Sequence, residues 1–217
     1  MWNARVELVE ARRGIADRVV ALTFDDGPAP WTEPIAEALE RHGGRGTFFA
    51  IGEAVATDEG RRIVRRLLDA GHEVGNHTWT HVDLEQTDDA AIEGEMRRTS
   101  ALLEEVAGRP VEYWRAPFFR SDERVRTAVA DLAGREVWFS AMPGDWDIPA
   151  EETAGRVLKD LEAGDIVVLH DGRPANEPPE LSWPTREATV GAVGLILEEM
   201  DRRGLRSVTV SELLAAS

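Results

Sequence analysis

The chain has 217 residues with 42% hydrophobic side chains, which favours a single folded domain spanning residues 1–217. Its 41 acidic residues against 25 Lys and Arg give a formal net charge of -16. This charge disfavours nucleic acid and anionic membranes as partners, because both require a cationic protein face. The chain has no cysteine, so disulfides, thiolate metal sites and a cysteine nucleophile are excluded. Any bound metal must therefore have nitrogen and oxygen ligands.

No apolar run is long enough to span a bilayer, so membrane insertion is not expected. The first residues lack the basic and then apolar layout of a signal peptide. We therefore expect a cytoplasmic protein as the sequence stands, and a secreted one if a leader precedes it in the natural chain. The sequence leaves the oligomeric state open.

Short apolar and β-branched runs alternate with longer stretches of helical periodicity. The predicted strands, in chain order, lie at residues 18–24, 46–51, 72–75, 112–114, 136–140, 165–169 and 205–209. The predicted helices lie at 32–42, from the end of the second strand to 70, and at 88–107, 121–132, 151–163 and 185–203, before a short terminal helix. Ser121 is the expected N-cap of the helix at 121–132.

This alternation predicts an α/β fold in which right-handed crossovers join parallel strands, with about seven strand–helix units. The units could form an open doubly wound sheet or a compact, incomplete barrel, since closed barrels usually need about 250 residues. In both architectures the reactive groups gather beyond the carboxyl ends of the strands. Polar residues that directly follow a predicted strand are therefore the candidates for chemistry.

Two adjacent carboxylates, Asp25 and Asp26, follow the first predicted strand. A cation between them would relieve their repulsion and leave one as a ligand and one as a base, although an acidic turn that ends the strand is the alternative. His77 and His81 follow the third strand at i and i+4, a spacing that lets both imidazoles of a helical turn reach one ion. His72, at the start of that strand, is expected to be structural.

Three more polar residues, Arg115, Asp145 and His170, follow other predicted strands. An arginine at a strand end can clamp a carboxylate, although a surface salt bridge is the alternative. A lone histidine is more often structural, but His170 follows a strand that is expected to be buried on both faces. Because all of these residues fall at one face of the predicted fold, they indicate one site. Two histidines and one aspartate, with positions left for water, are typical of a catalytic metal centre.

The same residues belong to five short motifs that occur in a characteristic order. These are TFDDGP at 23–28, GNHTWTH at 75–81, RAPF at 115–118, DW at 145–146 and VLHD at 168–171. The chain thus resembles the polysaccharide deacetylase family, the NodB-homology domain of carbohydrate esterase family 4, from about residue 18 to 212. The resemblance implies a distorted (β/α) barrel. It also implies a metal-dependent hydrolase that removes N-acetyl groups from N-acetylglucosamine-containing poly- or oligosaccharides of chitooligosaccharide or peptidoglycan type.

The resemblance also implies a role for each motif residue. Asp26, His77 and His81 would bind a divalent metal, usually zinc, with cobalt, nickel or manganese as alternatives. Asp25 would be the general base and His170 the general acid.

Around these residues, Arg115 would hold Asp25 in place, and the backbone N–H of Phe118 would help to bind the oxyanion. Trp146 would form a wall of the acetyl pocket. Pro117, which fixes the turn after the strand at 112–114, is also predicted to bind substrate.

One position departs from the family pattern. An aspartate that orients the acid histidine usually stands three residues before the Asp-Trp pair, and this chain has Met142 there. We therefore expect His170 to be less fully protonated at neutral pH and the activity optimum to shift towards acid pH. Asp145 or Asp147 could serve as the substitute carboxylate.

Tryptophan is frequent, with seven residues against one tyrosine. Trp31, Trp79 and Trp146 are predicted to bind sugar rings, and Trp31 and Trp183 to form the rim of the groove. The proline-rich loop at 173–181 is expected to shape that groove.

Two enzymatic alternatives keep the same machinery: an O-acetyl esterase acting on xylan-type polysaccharide and a hydrolase of small linear amides. A non-catalytic carbohydrate-binding relative is the third alternative. A strict requirement for His170 would favour the amide substrates, because an alkoxide leaves more easily than an amine.

Overall fold

The computed structural model describes residues 7–132, 134–177 and 185–216. Its strands are β1 (Leu8–Val9), β2 (Val19–Asp25), β3 (Thr47–Ala50), β4 (Glu73–Asn76), β5 (Tyr113–Trp114), β6 (Arg135–Val137), β7 (Ile166–His170) and β8 (Arg206–Val208). Its helices are α1 (Thr32–Arg41), α2 (Gly52–Val55), α3 (Asp58–Asp69), α4 (Asp89–Ala107), α5 (Glu123–Val129), α6 (Ala150–Leu158), α7 (Glu187–Arg203) and α8 (Val210–Ala215). None of the helices in these ranges combines the length and apolar character needed to cross a membrane.

The strands form one curled parallel sheet in the order β1-β6-β5-β4-β3-β2-β7. β8 pairs with the first half of β2, and β7 pairs with its second half. Between β6 and β7 the described residues contain a single bridge, from Ala141 to Val167, so the sheet closes only halfway. The prediction of a distorted, incomplete (β/α) barrel is confirmed.

The central strand β2 explains how the fold directs side chains towards one site. All seven of its residues are buried, as expected for a strand covered on both faces. Leu22 and Phe24 pack in the main core with α1 residues, whereas Ala21 packs with the smaller cluster on the other face. Because side chains alternate along a strand, Thr23 and Asp25 lie on the same face as Ala21. The strand thus carries Asp25 to the carboxyl-end opening of the half-barrel.

Several element boundaries differ from those predicted. The helix predicted to begin at Ser121 is the shorter α5, and its N-cap is Asp122, whose carboxylate accepts the Val125 N–H at 2.9 Å. Ser121 instead donates its hydroxyl to the buried Glu136. β1 was not predicted, because only two of its residues pair with β6 and so short a segment has no periodicity.

His72 has the buried, structural environment expected from the sequence. Its Nδ1 accepts the Gly46 N–H at 3.1 Å, and its Nε2 lies 3.1 Å from a Glu40 carboxylate oxygen. Burial lowers the pKa of His72, which favours the neutral ring that this pair of contacts requires.

Candidate active site

A cleft of about 650 Å³ lies at the carboxyl ends of the strands. Its lining includes Asp25, Asp26, His77, His81, Trp146 and His170. The structure thus brings together residues that are up to 145 positions apart in the chain, between Asp25 and His170. Their convergence follows from the parallel strands, whose carboxyl ends meet at one edge of the sheet.

Asp25 is held by a fully buried arginine. Arg115 Nη1 donates to Asp25 Oδ1 at 2.8 Å and to the Thr23 hydroxyl at 2.8 Å. Its Nε donates to the carbonyl oxygen of Val137 at 3.1 Å, and the guanidinium lies over the Phe49 ring. Burial lowers the pKa of Arg115, although the Asp25 carboxylate opposes this shift. The carboxylate of Asp25 is therefore fixed in orientation, with its second oxygen left towards the cleft.

Asp26 turns its side chain into the same cleft because its backbone leaves the extended conformation. Its φ is 78°, in the left-handed region that aspartate tolerates better than most residues. In a continued strand, Asp26 would point away from Asp25. The left-handed residue therefore places two consecutive carboxylates at one site.

Asp171 stabilises the turn after β2 through its carboxylate. Its carboxylate accepts the Gly27 N–H at 3.1 Å and the Thr32 hydroxyl. Complete burial raises the pKa of Asp171 to about 7, and the Asp26 and Asp25 charges add to the shift while the Thr32 bond opposes it. The turn after β2 is thus held by a residue that follows β7.

Asp26, His77 and His81 form a cluster suited to a cation. Their ligand atoms lie within 4.8 Å of one another, and Asp26 Oδ1 is 3.4 Å from His77 Nε2 and 3.2 Å from His81 Nε2. Asp26 Oδ1 is buried and accepts no hydrogen bond from any described residue. Buried polar atoms are nearly always paired, so this oxygen lacks a partner that a metal ion would supply. Nitrogen and oxygen donors of this kind fit a divalent cation such as zinc.

The orientation of His77 and the pKa values of His81 and Asp26 also suit metal binding. His77 Nδ1 donates to the carbonyl oxygen of Arg115 at 2.8 Å, which turns Nε2 towards Asp26. Burial lowers the pKa of His81 to about 4 despite the attraction of Asp26, so its imidazole is neutral. Burial opposes ionisation of Asp26, but the adjacent His77, together with His81 and His170, holds its pKa well below the ordinary value.

The histidine segment is not the helical turn expected from the i, i+4 spacing. Thr78 and His81 both have left-handed backbones, with φ of 67° and 58°. The two rings still approach each other, with centroids 5.1 Å apart, because the chain folds back sharply between them. The i, i+4 spacing correctly indicated that His77 and His81 lie together, but a loop and not a helical turn brings them together.

His170 is paired with Asp145. His170 Nδ1 lies 2.7 Å from Asp145 Oδ1, while Asp145 Oδ2 accepts the His170 N–H at 2.9 Å and the Thr189 hydroxyl at 2.7 Å. Burial would lower the pKa of His170, but the charge and hydrogen bond of Asp145 outweigh it and raise the pKa to about 9. The expectation of a less protonated histidine opposite Met142 is therefore wrong, because Asp145 is the substitute carboxylate. Asp147 is exposed.

The turn after β5 presents two strained aromatic residues. Phe118 and Phe119 have φ of 57° and 55°, a conformation that costs a bulky residue on the order of 1–3 kcal/mol. Phe118 is 60% exposed, and its ring and that of His81 meet edge to face, with centroids 4.8 Å apart. Within the described ranges, the Phe118 N–H has no hydrogen-bond acceptor. This free donor beside the cation cluster is suited to an oxyanion.

The tryptophans divide between cleft and core. Trp146 lines the cleft, and its ring meets that of His170 edge-on, with centroids 5.1 Å apart. Trp79 is 8% exposed and packs in the main core, so the prediction that it binds sugar is wrong. Trp31 precedes α1 and is absent from the cleft lining, and Trp183 lies outside the described residues.

Two other predicted groove features are placed only in part. Pro117 is buried beneath the Phe118 turn and does not line the cleft. From the loop at 173–181, Pro174, Asn176 and Glu177 line the cleft, and 178–181 lie outside the described residues. Thr189, the partner of Asp145, was not predicted, since a hydroxyl on an amphipathic helix carries no motif.

The close approach of Gly27 to Asp171 gives a first testable expectation. A Cβ at Gly27 would lie 2.2 Å from Asp171 Oδ2, so Gly27→Ala should lower the free energy of unfolding by about 1–3 kcal/mol. A Cβ at Gly94, inside α4, would meet no atom within 4 Å beyond its own stretch of helix, so Gly94→Ala should stabilise the protein by about 0.5–1 kcal/mol. Urea denaturation of both variants checks this pair, and equal effects would contradict the contact.

The half-barrel and its cleft define a class of α/β proteins whose site lies at the carboxyl ends of parallel strands. A model of the polysaccharide deacetylase family matches residues 13–137. The chain is 35% identical to a chitooligosaccharide deacetylase of Bradyrhizobium sp., over 92% of this chain and 94% of that protein. It is 33% identical to a peptidoglycan-N-acetylglucosamine deacetylase of Bacillus cereus, over 91% of this chain and 89% of that protein.

Among solved structures, the Xyl-CE4 domain of a multidomain xylanase from the hindgut metagenome of Trinervitermes trinervoides is similar. Its TM-score is 0.79 at 28% identity, covering 92% of this chain and 90% of that one. The protein belongs to the polysaccharide deacetylase family. The resemblance drawn from the five motifs is thereby confirmed.

Proposed function

We propose that this enzyme removes N-acetyl groups from N-acetylglucosamine-containing poly- or oligosaccharides of the chitooligosaccharide or peptidoglycan type. The observation that carries this proposal is the Asp26, His77 and His81 cluster, which lies in one cleft with Asp25 and His170. The names of the two curated relatives support the substrate class. The cluster would bind a divalent metal, with zinc favoured by the two imidazoles and one carboxylate.

When bound, the metal would polarise the acetyl carbonyl and lower the pKa of a water molecule in the cleft. Asp25 accepts a proton from this water as its oxygen attacks the carbonyl carbon, and Arg115 keeps the carboxylate oriented. The Phe118 N–H donates to the developing oxyanion, a contact whose loss typically costs on the order of 2.7–4 kcal/mol.

His170 completes the reaction by protonating the leaving nitrogen. The C–N bond then breaks, which gives acetate and the free amine of the sugar. An amide nitrogen leaves only as a neutral amine, so the reaction needs an acid that is protonated at neutral pH. The Asp145 partner supplies this condition by raising the pKa of His170 to about 9.

The same residues could hydrolyse an O-acetyl ester, and the similarity to the Xyl-CE4 domain of a multidomain xylanase supports this second candidate. An ester needs less help from an acid, because an alkoxide is a better leaving group than an amide anion. His170→Ala should therefore reduce kcat more for N-acetyl than for O-acetyl substrates. The raised pKa of His170 favours the amide, since an ester would not require it.

The decisive experiment combines metal analysis with acetate release from chitooligosaccharides, peptidoglycan and acetylated xylan. His77→Ala should lose bound metal and activity, whereas Asp25→Asn should keep the metal and lose activity by on the order of 10²–10⁴-fold. His42→Ala is the matched control, because His42 pairs with Asp201 on the surface, away from the cleft. A wild-type protein that binds no divalent metal and releases no acetate from any of the three substrates contradicts the proposal.

A further inference from the structure

The loop between the two cluster histidines has little regular structure to hold it. Residues 77–81 connect the end of β4 to an irregular segment, and two of the five residues have left-handed backbones. A loop of this kind does not by itself fix the distance between the imidazoles of His77 and His81. Within the loop the His81 N–H donates to the Thr78 hydroxyl at 3.0 Å, and contacts from outside the loop hold the remaining residues.

The main outside contact is a carboxylate on α4. Glu95 Oε2 accepts the N–H groups of Trp79 and Thr80, both at 2.8 Å, and its Oε1 accepts the Thr80 hydroxyl at 2.9 Å. Three donors from the middle of the loop thus converge on one carboxylate. Hydrogen bonds to a charged acceptor are roughly twice as strong as those between neutral groups.

The face of α4 that carries Glu95 also contacts Trp79, the residue at the centre of the loop. Arg98, three residues after Glu95 on α4, places its guanidinium 3.5 Å from the centroid of a Trp79 ring. Residues at i and i+3 lie on one helix face, so Glu95 and Arg98 act on the loop together. Trp79, which packs in the core and does not line the cleft, therefore anchors the loop to α4.

The carbonyl side of the loop is held by other elements. The N–H groups of Gly52 and Glu53, at the start of α2, donate to the carbonyl oxygens of Thr78 and Trp79 at 2.9 and 3.0 Å. Asn176 donates to the carbonyl oxygen of Thr80 at 2.9 Å. Glu95 thus supplies the acceptor for the N–H groups of Trp79 and Thr80, and its removal would leave these two groups without a partner among the described residues.

We infer that Glu95 is a positioning residue that fixes the loop at 77–81 and thereby sets the affinity of the Asp26, His77 and His81 cluster for its divalent cation. The inference rests on the metal site proposed above. It adds a residue outside the five motifs, on a helix that contributes no ligand. Partners that orient ligands typically change metal affinity by about 10–100-fold when they are removed.

The test measures metal binding directly, not turnover. Zn²⁺ affinity of the metal-free protein is measured by competition with a chromophoric chelator, and the Co²⁺-substituted protein is compared by its visible absorption spectrum. Glu95→Ala should weaken Zn²⁺ binding by about 10–100-fold and alter the Co²⁺ spectrum. Glu95→Gln should lose roughly threefold or more, because its neutral amide oxygen is a weaker acceptor for the two N–H groups.

Glu93→Ala is the matched control on the same helix, since Glu93 is exposed and its carboxylate pairs only with the exposed Arg97 among the described residues. Its Zn²⁺ affinity and Co²⁺ spectrum should equal those of the wild type. If Glu95→Ala keeps wild-type affinity and spectrum, the inference about Glu95 is overturned while the metal site stands. An equal loss of affinity in Glu93→Ala also overturns it. If Glu95→Ala does not fold, an unchanged affinity in Glu95→Gln overturns it. A wild-type protein without affinity for either cation overturns the metal site and this inference together.

Discussion

Asp145→Asn is expected to lower kcat by on the order of 10²–10⁴-fold and to move the alkaline limb of the pH profile downwards. The acid form of His170 is required, so activity is present below the pKa of this histidine and lost as pH rises through it. In the wild type that limb should lie near pH 9, because the Asp145 charge and hydrogen bond raise the pKa of His170. Without them the limb should fall towards about 6.5, the ordinary histidine value.

The measurement is kcat/KM for acetate release between pH 5 and 10. Asp147→Asn is the matched control, since this neighbouring carboxylate is exposed. Its alkaline limb should stay where the wild type has it. If the limb of Asp145→Asn does not move, the pair does not control the protonation of the acid.

Arg115→Met is expected to lower the free energy of unfolding by about 3–5 kcal/mol. The substitution leaves Asp25 charged, buried and without its 2.8 Å partner, and removes donors from Thr23 and the Val137 carbonyl oxygen. Removing one member of a buried pair is costly because the remaining charge is no longer compensated. Activity should fall at least as far as in Asp25→Asn, since the base loses its orientation.

Urea denaturation in the presence of a chelator measures this effect without a contribution from bound metal. The double variant Asp25→Asn with Arg115→Met should lose less stability than the sum of the two single variants, because no uncompensated charge remains. Arg97→Met, which removes an exposed pair with Glu93 on α4, should cost under about 1 kcal/mol. Equal losses for Arg115→Met and Arg97→Met would contradict a buried ion pair.

The fold and the centre of the site could be predicted from the sequence because strand ends leave a clear signal. Parallel strands put their carboxyl ends at one edge, and Asp25 and His170 are register partners on β2 and β7. Any polar residue that follows a buried strand is thus a site candidate. The resemblance carried by the five motifs then implied a role for each of these residues.

What the sequence could not supply was the conformation of the connecting segments. The expected helical turn at His77 is a loop with left-handed residues, and such conformations have no periodicity to detect. Trp79 adjoins a ligand in the sequence, yet it packs under Arg98, since proximity in the chain does not determine which way a side chain turns. Glu95 acts through backbone N–H groups, which every residue except proline has, so no pattern marks its partners.

The gap in the barrel has a consequence for how this site could tolerate change over evolution. Between β6 and β7 the described chain forms one bridge, at Ala141, and then runs irregularly to α6. Asp145 lies in that irregular stretch and reaches both the backbone and the ring of His170. A strand would fix which residue faces the histidine by register, whereas an irregular segment can present a carboxylate from more than one position. Because the barrel is open here, the carboxylate that pairs with His170 can move to another position in this segment without a change of fold.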